Sequence, residues 1–104
     1  MQPHRGEVWL IDFGLAGKVR PALLISTAFR DRDRALISVV PHTTSMRGSD
    51  FEVTLNVPFL KPGAFLVQGI TTFPAARVLR KLGILSAAQF DHVFEILLKW
   101  LGHL

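Results

Sequence analysis

Two stretches decide the fold of this chain: KVRPALLIS, residues 18–26, and VVPHTTS, residues 39–45. Each joins a run of β-branched or aliphatic residues, typical of a buried strand, to a cluster of polar groups at one end. Arg20 directly precedes the proline of the first stretch, and Thr43 and Thr44 follow the proline of the second. A guanidinium and hydroxyls held at strand ends can bind a phosphate from two sides, which makes nucleic acid the leading partner.

Alternating or β-branched segments along the rest of the chain predict further strands. The predicted strands are residues 7–13, 22–27, 36–42 and 51–55, with one or two short strands within 64–72. Gly14 and Gly17 mark a turn after the first strand, and the alternating charges of residues 28–34 predict a solvated loop. Residues 77–85 fit either a helix or another strand, and both interpretations remain open.

The end of the chain predicts one amphipathic helix. Ser86 and Gln89 have the spacing of a capping box, and Gly102 supplies a stop. The apolar residues that recur between them at helical spacing are Phe90, Val93, Phe94, Leu97, Leu98 and Leu101. Short strands followed by such a helix indicate a mainly β fold with α (α+β), in which a small, strongly bent sheet or barrel packs against the helix.

The composition excludes several classes of protein. At 104 residues and 49% hydrophobic, the chain can bury one core, and we expect a single domain over residues 1–104. It has no apolar run near the roughly 20 residues that span a bilayer, no recognisable secretory signal and no cysteine. These features predict a cytoplasmic protein without a membrane partner. The net charge of +4 favours either solubility alone or a polyanionic partner.

Arg20 is the first candidate for chemistry. Because it precedes Pro21, its backbone is restricted to extended geometry and its side chain is presented in a set direction. The guanidinium either forms an ordinary surface ion pair or stabilises charge that builds on a phosphoryl group, and the sequence leaves both open. It cannot serve as a general base, since its pKa lies above about 12.

Thr43, Thr44 and His42 form the second candidate group. A threonine at a strand end most often satisfies a turn, but its hydroxyl can also bind a phosphate oxygen or the attacking group. His42 titrates in the range needed for proton transfer, and it can equally be a packing residue at the end of a strand. These alternatives also remain open.

The remaining polar residues suggest no metal centre. The four histidines are scattered, and no His and carboxylate group has the spacing of metal ligands on a helix. Arg47 lies in the loop of residues 45–49, a suitable place for a phosphate contact and also for an idle surface charge. We therefore expect no metal and no cofactor, so that any nuclease chemistry has to run without a bound metal.

Taken in chain order, these motifs resemble the MazF/PemK family of toxin endoribonucleases. The matching segments are RGEVW at 5–9, RPAL at 20–23, VVPHTT at 39–44, FEV at 51–53, Gln68, and LGILS at 82–86. The resemblance covers nearly the whole chain. It implies a barrel of the Src-homology-3 type with appended helices, in a cytoplasmic homodimer held inactive by a cognate antitoxin.

The resemblance also implies an activity and its residues. Family members are mRNA interferases, which cleave single-stranded RNA at short sequences without metal, by attack of the 2′-hydroxyl on the adjacent phosphorus. The catalytic arginine of the family falls on Arg20 and its threonine on Thr43, with His42 as a third catalytic candidate. The RNA-binding candidates are Lys18, Thr44, Arg47 and Gln68.

The chain departs from the family at two places. The loop before Arg20 is shorter than in many relatives, and Val67 stands before Gln68 where many relatives have an acidic residue. The second departure leaves the general base open and makes His42 a candidate substitute. The two departures together also leave an alternative function open. In that alternative the chain is a non-catalytic barrel that binds a protein or nucleic acid, for example a CcdB-like gyrase-binding toxin.

Overall fold

The computed structural model of the chain describes residues 2–16 and 18–103, so the turn prediction at Gly17 lies outside the described residues. Within these described residues, seven strands precede one helix: β1 (Glu7–Asp12), β2 (Val19–Leu24), β3 (Leu36–Thr43), β4 (Glu52–Thr54), β5 (Ala64–Leu66), β6 (Thr71–Pro74), β7 (Val78–Ile84) and α1 (Ala87–Trp100). Short 3-10 turns at Val67–Gly69 and Ala75–Arg77 flank β6. In the part of the chain described, no helix has the length and apolar character needed to cross a membrane.

The strands form an antiparallel sheet centred on β3. The strand order is β4-β5-β3-β2-β1-β7, and β6 also pairs with β3. Val39 pairs with Leu24 of β2 and with Thr71 of β6, while His42 pairs with Phe65 of β5. β6 and β5 therefore follow one another along the edge of β3 that faces away from β2. The predicted α+β class with a C-terminal helix is confirmed, although the described ladders leave the sheet open rather than closed into a barrel.

The two faces of the sheet bury two apolar clusters, as period-two alternation requires. The first includes Val8, Leu23, Val40, Phe65 and, from the helix, Val93 and Leu97. The second includes Trp9, Ile11, Ala22, Leu24, Ile37 and Val39. The helix thus packs over the first cluster with its apolar stripe, as its 3.6-residue periodicity predicts.

The predicted start of the helix is confirmed by its cap. The Ser86 hydroxyl accepts a hydrogen bond from the Gln89 N–H at 3.1 Å, and the Gln89 side-chain oxygen accepts one from the Ser86 N–H at 2.9 Å. The two residues thereby satisfy donors that the first helical turn otherwise leaves unpaired.

Two segments differ from their sequence interpretation. Residues 77–85, left open between helix and strand, are mostly β7, because residues 78–84 pair with β1 along its other edge. The second strand, predicted at 22–27, runs from Val19 to Leu24 instead. It begins earlier because its register with β1 reaches from Val8↔Leu23 to Asp12↔Val19. Arg20 is consequently inside a strand, opposite Ile11.

A buried carboxylate fastens β7 to β1. Glu7 accepts hydrogen bonds from the His4 N–H at 2.8 Å and the Trp9 indole at 3.0 Å, and it lies 2.9 Å from the Lys81 ammonium. Burial by itself raises the pKa of Glu7, but the three donors outweigh it and lower the pKa to about 2. Glu7 is thus a charged structural group that fixes the position of β7, including Arg80 beside Lys81.

Candidate active site

One cleft of about 490 Å³ collects most of the residues singled out from the sequence. It opens where β2 begins and β3 ends. Its lining residues are Leu10, Arg20, Pro21, His42, Thr43, Thr44, Ser45, Phe59, Leu60, Lys61, Arg80 and Leu82. The structure therefore brings together Arg20, His42, Thr43 and Thr44.

The register of β2 and β3 explains why Arg20 and Thr43 meet. The strands pair at Ala22↔Pro41 and at the two positions beyond. The same register continued toward the start of β2 sets Arg20 opposite Thr43, and directly opposed residues of an antiparallel pair project from the same face. Pro21 and Pro41 have no N–H to donate, so the ladder stops there and leaves the strand ends open.

Thr43 combines a turn contact with a hydroxyl that is able to donate. Its side-chain oxygen accepts a hydrogen bond from the Ser45 N–H at 3.0 Å, which is the turn role expected of a threonine after a strand. A hydroxyl that accepts one hydrogen bond can still donate its own proton. Both sequence interpretations of Thr43 are therefore compatible with this geometry.

His42 is the most buried polar group of the cleft. The residue is 5% exposed, and its ring packs edge-on against Phe65 with the centroids 5.1 Å apart. Its Nε2 has no hydrogen-bond partner among the described residues. Burial lowers the pKa of His42 below the ordinary value, so the imidazole is neutral near pH 7.

Gly63 closes the other side of the His42 ring. A Cβ at this position would lie 2.7 Å from the His42 Cε1 and 3.1 Å from Nε2, and it would collide with the Thr43 carbonyl. Glycine therefore permits the close approach of this segment to the end of β3. The same segment carries Phe59, Leu60 and Lys61 into the cleft wall.

Arg47 and Gln68 lie in a neighbouring concavity. It is lined by Ser45, Arg47, Ser49, Glu52, Leu66, Gln68 and Gly69, and it shares Ser45 with the cleft. Glu52 holds the loop around Arg47 by accepting hydrogen bonds from the Arg47 N–H at 3.0 Å and the Ser49 N–H at 2.9 Å. These backbone hydrogen bonds lower the pKa of Glu52.

Lys18, the remaining RNA-binding candidate, is not among the residues that line either concavity. It is an exposed turn residue with φ of 58°, in the left-handed region that non-glycine residues seldom adopt. Its N–H donates to the Gly14 carbonyl at 2.8 Å, and its carbonyl accepts from the Phe13 N–H at 2.8 Å. Lys18 therefore closes the turn that leads into β2.

The sequence analysis did not find two cationic residues that line the cleft, or the apolar side chains that form its floor. Lys61 and Arg80 are exposed lining residues, and the partly exposed side chains of Leu10, Phe59, Leu60 and Leu82 lie between the polar groups. A strand interpretation of residues 77–85 paired with β1 would have found Arg80, which is opposite Leu10. The sequence alone carried no signal for Lys61.

The cleft is electrostatically one-sided. Its charged lining residues are Arg20, Lys61 and Arg80, and no Asp or Glu lines it among the residues described. Such a surface attracts a polyanion, and its guanidinium groups match the geometry of a phosphate. Within the same described ranges, no three His, Asp or Glu side chains lie close enough together to hold a metal ion.

Comparison with known proteins assigns the family. The family model described as PemK-like, MazF-like toxin of type II toxin-antitoxin system matches residues 4–101. No curated protein matches the sequence significantly. The family resemblance drawn from the motifs is therefore confirmed by the family model.

Solved structures give the same result. MazF of Deinococcus radiodurans is 29% identical, with 98% of each chain covered and a TM-score of 0.80. In a MazE-MazF structure from the same organism the identity is 26%, the coverage 100% of this chain and 99% of the other, and the TM-score 0.82. A mycobacterial endoribonuclease in complex with its cognate antitoxin is 26% identical over 96% and 95%, with a TM-score of 0.82. With the match over residues 4–101, this likeness shows that the chain belongs to the PemK-like, MazF-like toxins of type II toxin–antitoxin systems.

Proposed function

We propose that the chain, an endoribonuclease toxin by family, cleaves single-stranded RNA at a short recognition sequence without a metal ion. The observation that carries the proposal is the convergence of Arg20 and Thr43 in one cationic cleft. These are the positions onto which the family resemblance carries the catalytic arginine and threonine.

In this proposal the 2′-hydroxyl attacks the adjacent phosphorus and the bond to the 5′-oxygen breaks. The departing 5′-oxygen takes a proton from solvent water, so that the products are a 2′,3′-cyclic phosphate and a free 5′-hydroxyl. Arg20 stabilises the extra negative charge of the phosphorane, a role that suits a group that stays protonated throughout. Thr43 donates a hydrogen bond from its hydroxyl to a non-bridging oxygen and thereby holds the phosphorus in line with the attacking oxygen.

The attacking hydroxyl must also lose a proton, and we assign this step to His42. The cations of the cleft have no lone pair to accept a proton, whereas a neutral imidazole has one. Burial of His42 favours the neutral form. Because Nε2 faces Gly63, the segment around Gly63 must shift before Nε2 can meet the substrate. The assignment therefore requires a mobile cleft wall.

The RNA path in this proposal runs from the cleft into the neighbouring concavity across Ser45, which lines both. Thr44 contacts the strand inside the cleft, and Arg47 and Gln68 contact it beyond Ser45. Lys18 contributes charge from the turn before β2. These four residues set affinity, while Arg20 and Thr43 act on the bond that breaks.

We further propose that the chain acts in the cytoplasm as a homodimer controlled by a cognate antitoxin. β7 ends the strand order, and its Leu79 and Ile84 are 55% and 60% exposed. The exposed apolar side chains of this edge strand offer contacts for a second copy. Solved relatives include a MazF with MazE and a mycobacterial endoribonuclease with its cognate antitoxin, and an antitoxin of this kind would cover the cleft.

The proposal is tested by incubating the purified protein with a long single-stranded RNA in EDTA and mapping the new 5′ ends. We expect cleavage at a recurrent short motif, and we expect Arg20→Ala to slow it by about 10²–10³-fold. Arg32→Ala is the matched control, because Arg32 is exposed in the loop between β2 and β3 and lines neither the cleft nor the concavity. Intact RNA with retained binding would contradict the proposal and support the non-catalytic alternative.

A further inference from the structure

We propose that the apolar part of the cleft is a subsite for a keto base, guanine or uracil, adjacent to the scissile phosphate, and that Arg80 reads its edge. This inference rests on the proposed function, since it names the nucleotide that the same site selects. It makes Arg80 a specificity-determining residue rather than a member of the phosphate site.

The position of Arg80 separates it from the phosphate site. Arg80 is opposite Leu10, and Leu10 is opposite Pro21. Neighbouring strands lie about 4.8 Å apart, so the backbones of Arg80 and Pro21 are roughly 10 Å apart across the sheet. Arg20 adjoins Pro21, and Thr43 lies one strand further away. This spacing suits a group attached to the next sugar better than the scissile phosphate itself.

The surface between Arg80 and Arg20 suits the flat face of a base. It is formed by the half-buried side chains of Leu10, Pro21 and Phe59, with Leu60 and Leu82 beside them. The Phe59 ring lies directly against Gly83, where a Cβ would come within 2.6 Å of ring carbons. Gly83 therefore lets this aromatic ring pack deep in the floor. Apolar and aromatic surfaces bind bases of any kind by their faces.

Selectivity follows from the polar groups at the Arg80 end. Arg80 and Lys61 only donate hydrogen bonds, and no carboxylate or amide side chain lines the cleft among the described residues. The hydroxyls of residues 43–45 belong to the β3 end of the cleft. An exocyclic amino group of adenine or cytosine therefore finds no carboxylate or amide side chain beside Arg80 to accept its hydrogen bond, whereas the keto oxygens of guanine and uracil find a side-chain donor. Guanine presents O6 and N7 together, the pair that an arginine fork binds bidentately.

The experiment compares single-turnover cleavage of RNAs that differ only in the base on either side of the cleaved bond. For the unsubstituted protein we expect guanine or uracil to be favoured over adenine and cytosine at one of these positions by about 5- to 100-fold. Two guanine analogues test whether the site binds O6 and N7 of guanine. Inosine keeps O6 and N7, and 7-deazaguanine lacks N7. The ratio of cleavage rates for uracil and cytosine substrates tests recognition of uracil.

The matched variants are Arg80→Met, Lys61→Ala and Arg32→Ala. Arg80→Met keeps most of the side-chain length but has no hydrogen-bond donor, so we expect the advantage of the guanine and uracil substrates to be lost, with a smaller effect on the adenine and cytosine substrates. Lys61→Ala should slow all substrates alike, as expected for a backbone contact. Arg32→Ala should change neither rate nor preference.

The outcomes separate this inference from the function on which it rests. Absence of cleavage by the unsubstituted protein would contradict the proposed function and the inference together. Cleavage with the same base preference in Arg80→Met as in the unsubstituted protein would overturn the inference alone. If Arg80→Met slows every substrate equally and lowers the salt dependence by about one unit of slope, Arg80 is a phosphate ligand and the base subsite is wrong.

Discussion

Replacement of Glu7 by glutamine should remove the part of the acid sensitivity that comes from the link between β1 and β7. Glu7 is charged, largely buried and bound by three donors, and its pKa is lowered from 4.5 to about 2. A group whose pKa is depressed in the folded state stabilises it above the unfolded pKa, and that stabilisation is lost as pH falls through the folded pKa. The shift corresponds to an upper value of about 3 kcal/mol at pH 7, of which more than half is lost by pH 3.

The measurement is urea unfolding of the unsubstituted protein and of Glu7→Gln at several pH values between 7 and 3. Glutamine can still accept from the His4 N–H and the Trp9 indole, so the variant mainly removes the charge that faces Lys81. We expect the variant to be less stable at pH 7 and the difference to shrink steadily below pH 4.5. An unchanged difference from pH 7 to pH 3 would refute this account of the β1–β7 link.

Three further predictions concern the cleft wall, the helix cap and the proton acceptor. Gly63→Ala should lower the free energy of unfolding by about 1–3 kcal/mol, because its Cβ would meet the Thr43 carbonyl and the His42 ring. Urea unfolding measures this change, and wild-type stability would contradict the close packing. Ser86→Ala should cost about 1 kcal/mol, seen as a lower Tm, through loss of the cap; an unchanged Tm would show that the cap adds nothing. For His42, the cleavage rate should fall as pH drops through its lowered pKa, and His42→Ala should abolish that dependence; an unchanged pH profile in the variant would exclude His42 as the acceptor.

The sequence was sufficient to predict the elements whose formation depends on residues close together in the chain. Runs of strand-forming residues located β1 and β3 closely, and the Ser86–Gln89 spacing located the helix start, because capping depends on residues that are near in sequence. The meeting of Arg20 with Thr43 was expected from the family motif. The structure adds its physical reason, which is the antiparallel register between β2 and β3 and its end at two prolines.

Pairing between distant parts of the chain determined the secondary structure of the segment that the sequence left open. Residues 77–85 have no decisive period of their own, and they form a strand because β1 offers a free edge and Glu7 a partner for Lys81. Arg80 therefore reaches the cleft only through a contact between distant parts of the chain. Lys61 reaches it because Gly63 packs against the end of β3. Neither arrangement leaves a local signature.

Cleavage rates of one RNA in EDTA by the unsubstituted protein, Arg20→Ala, Thr43→Ala and the double variant test the central claim most directly. If both side chains act on the same phosphorane, each single variant should lose about 10²–10³-fold, and the double variant should lose clearly less than the product of the two losses. Losses that multiply independently, or a single variant that cleaves at the unsubstituted rate, would contradict a shared catalytic site.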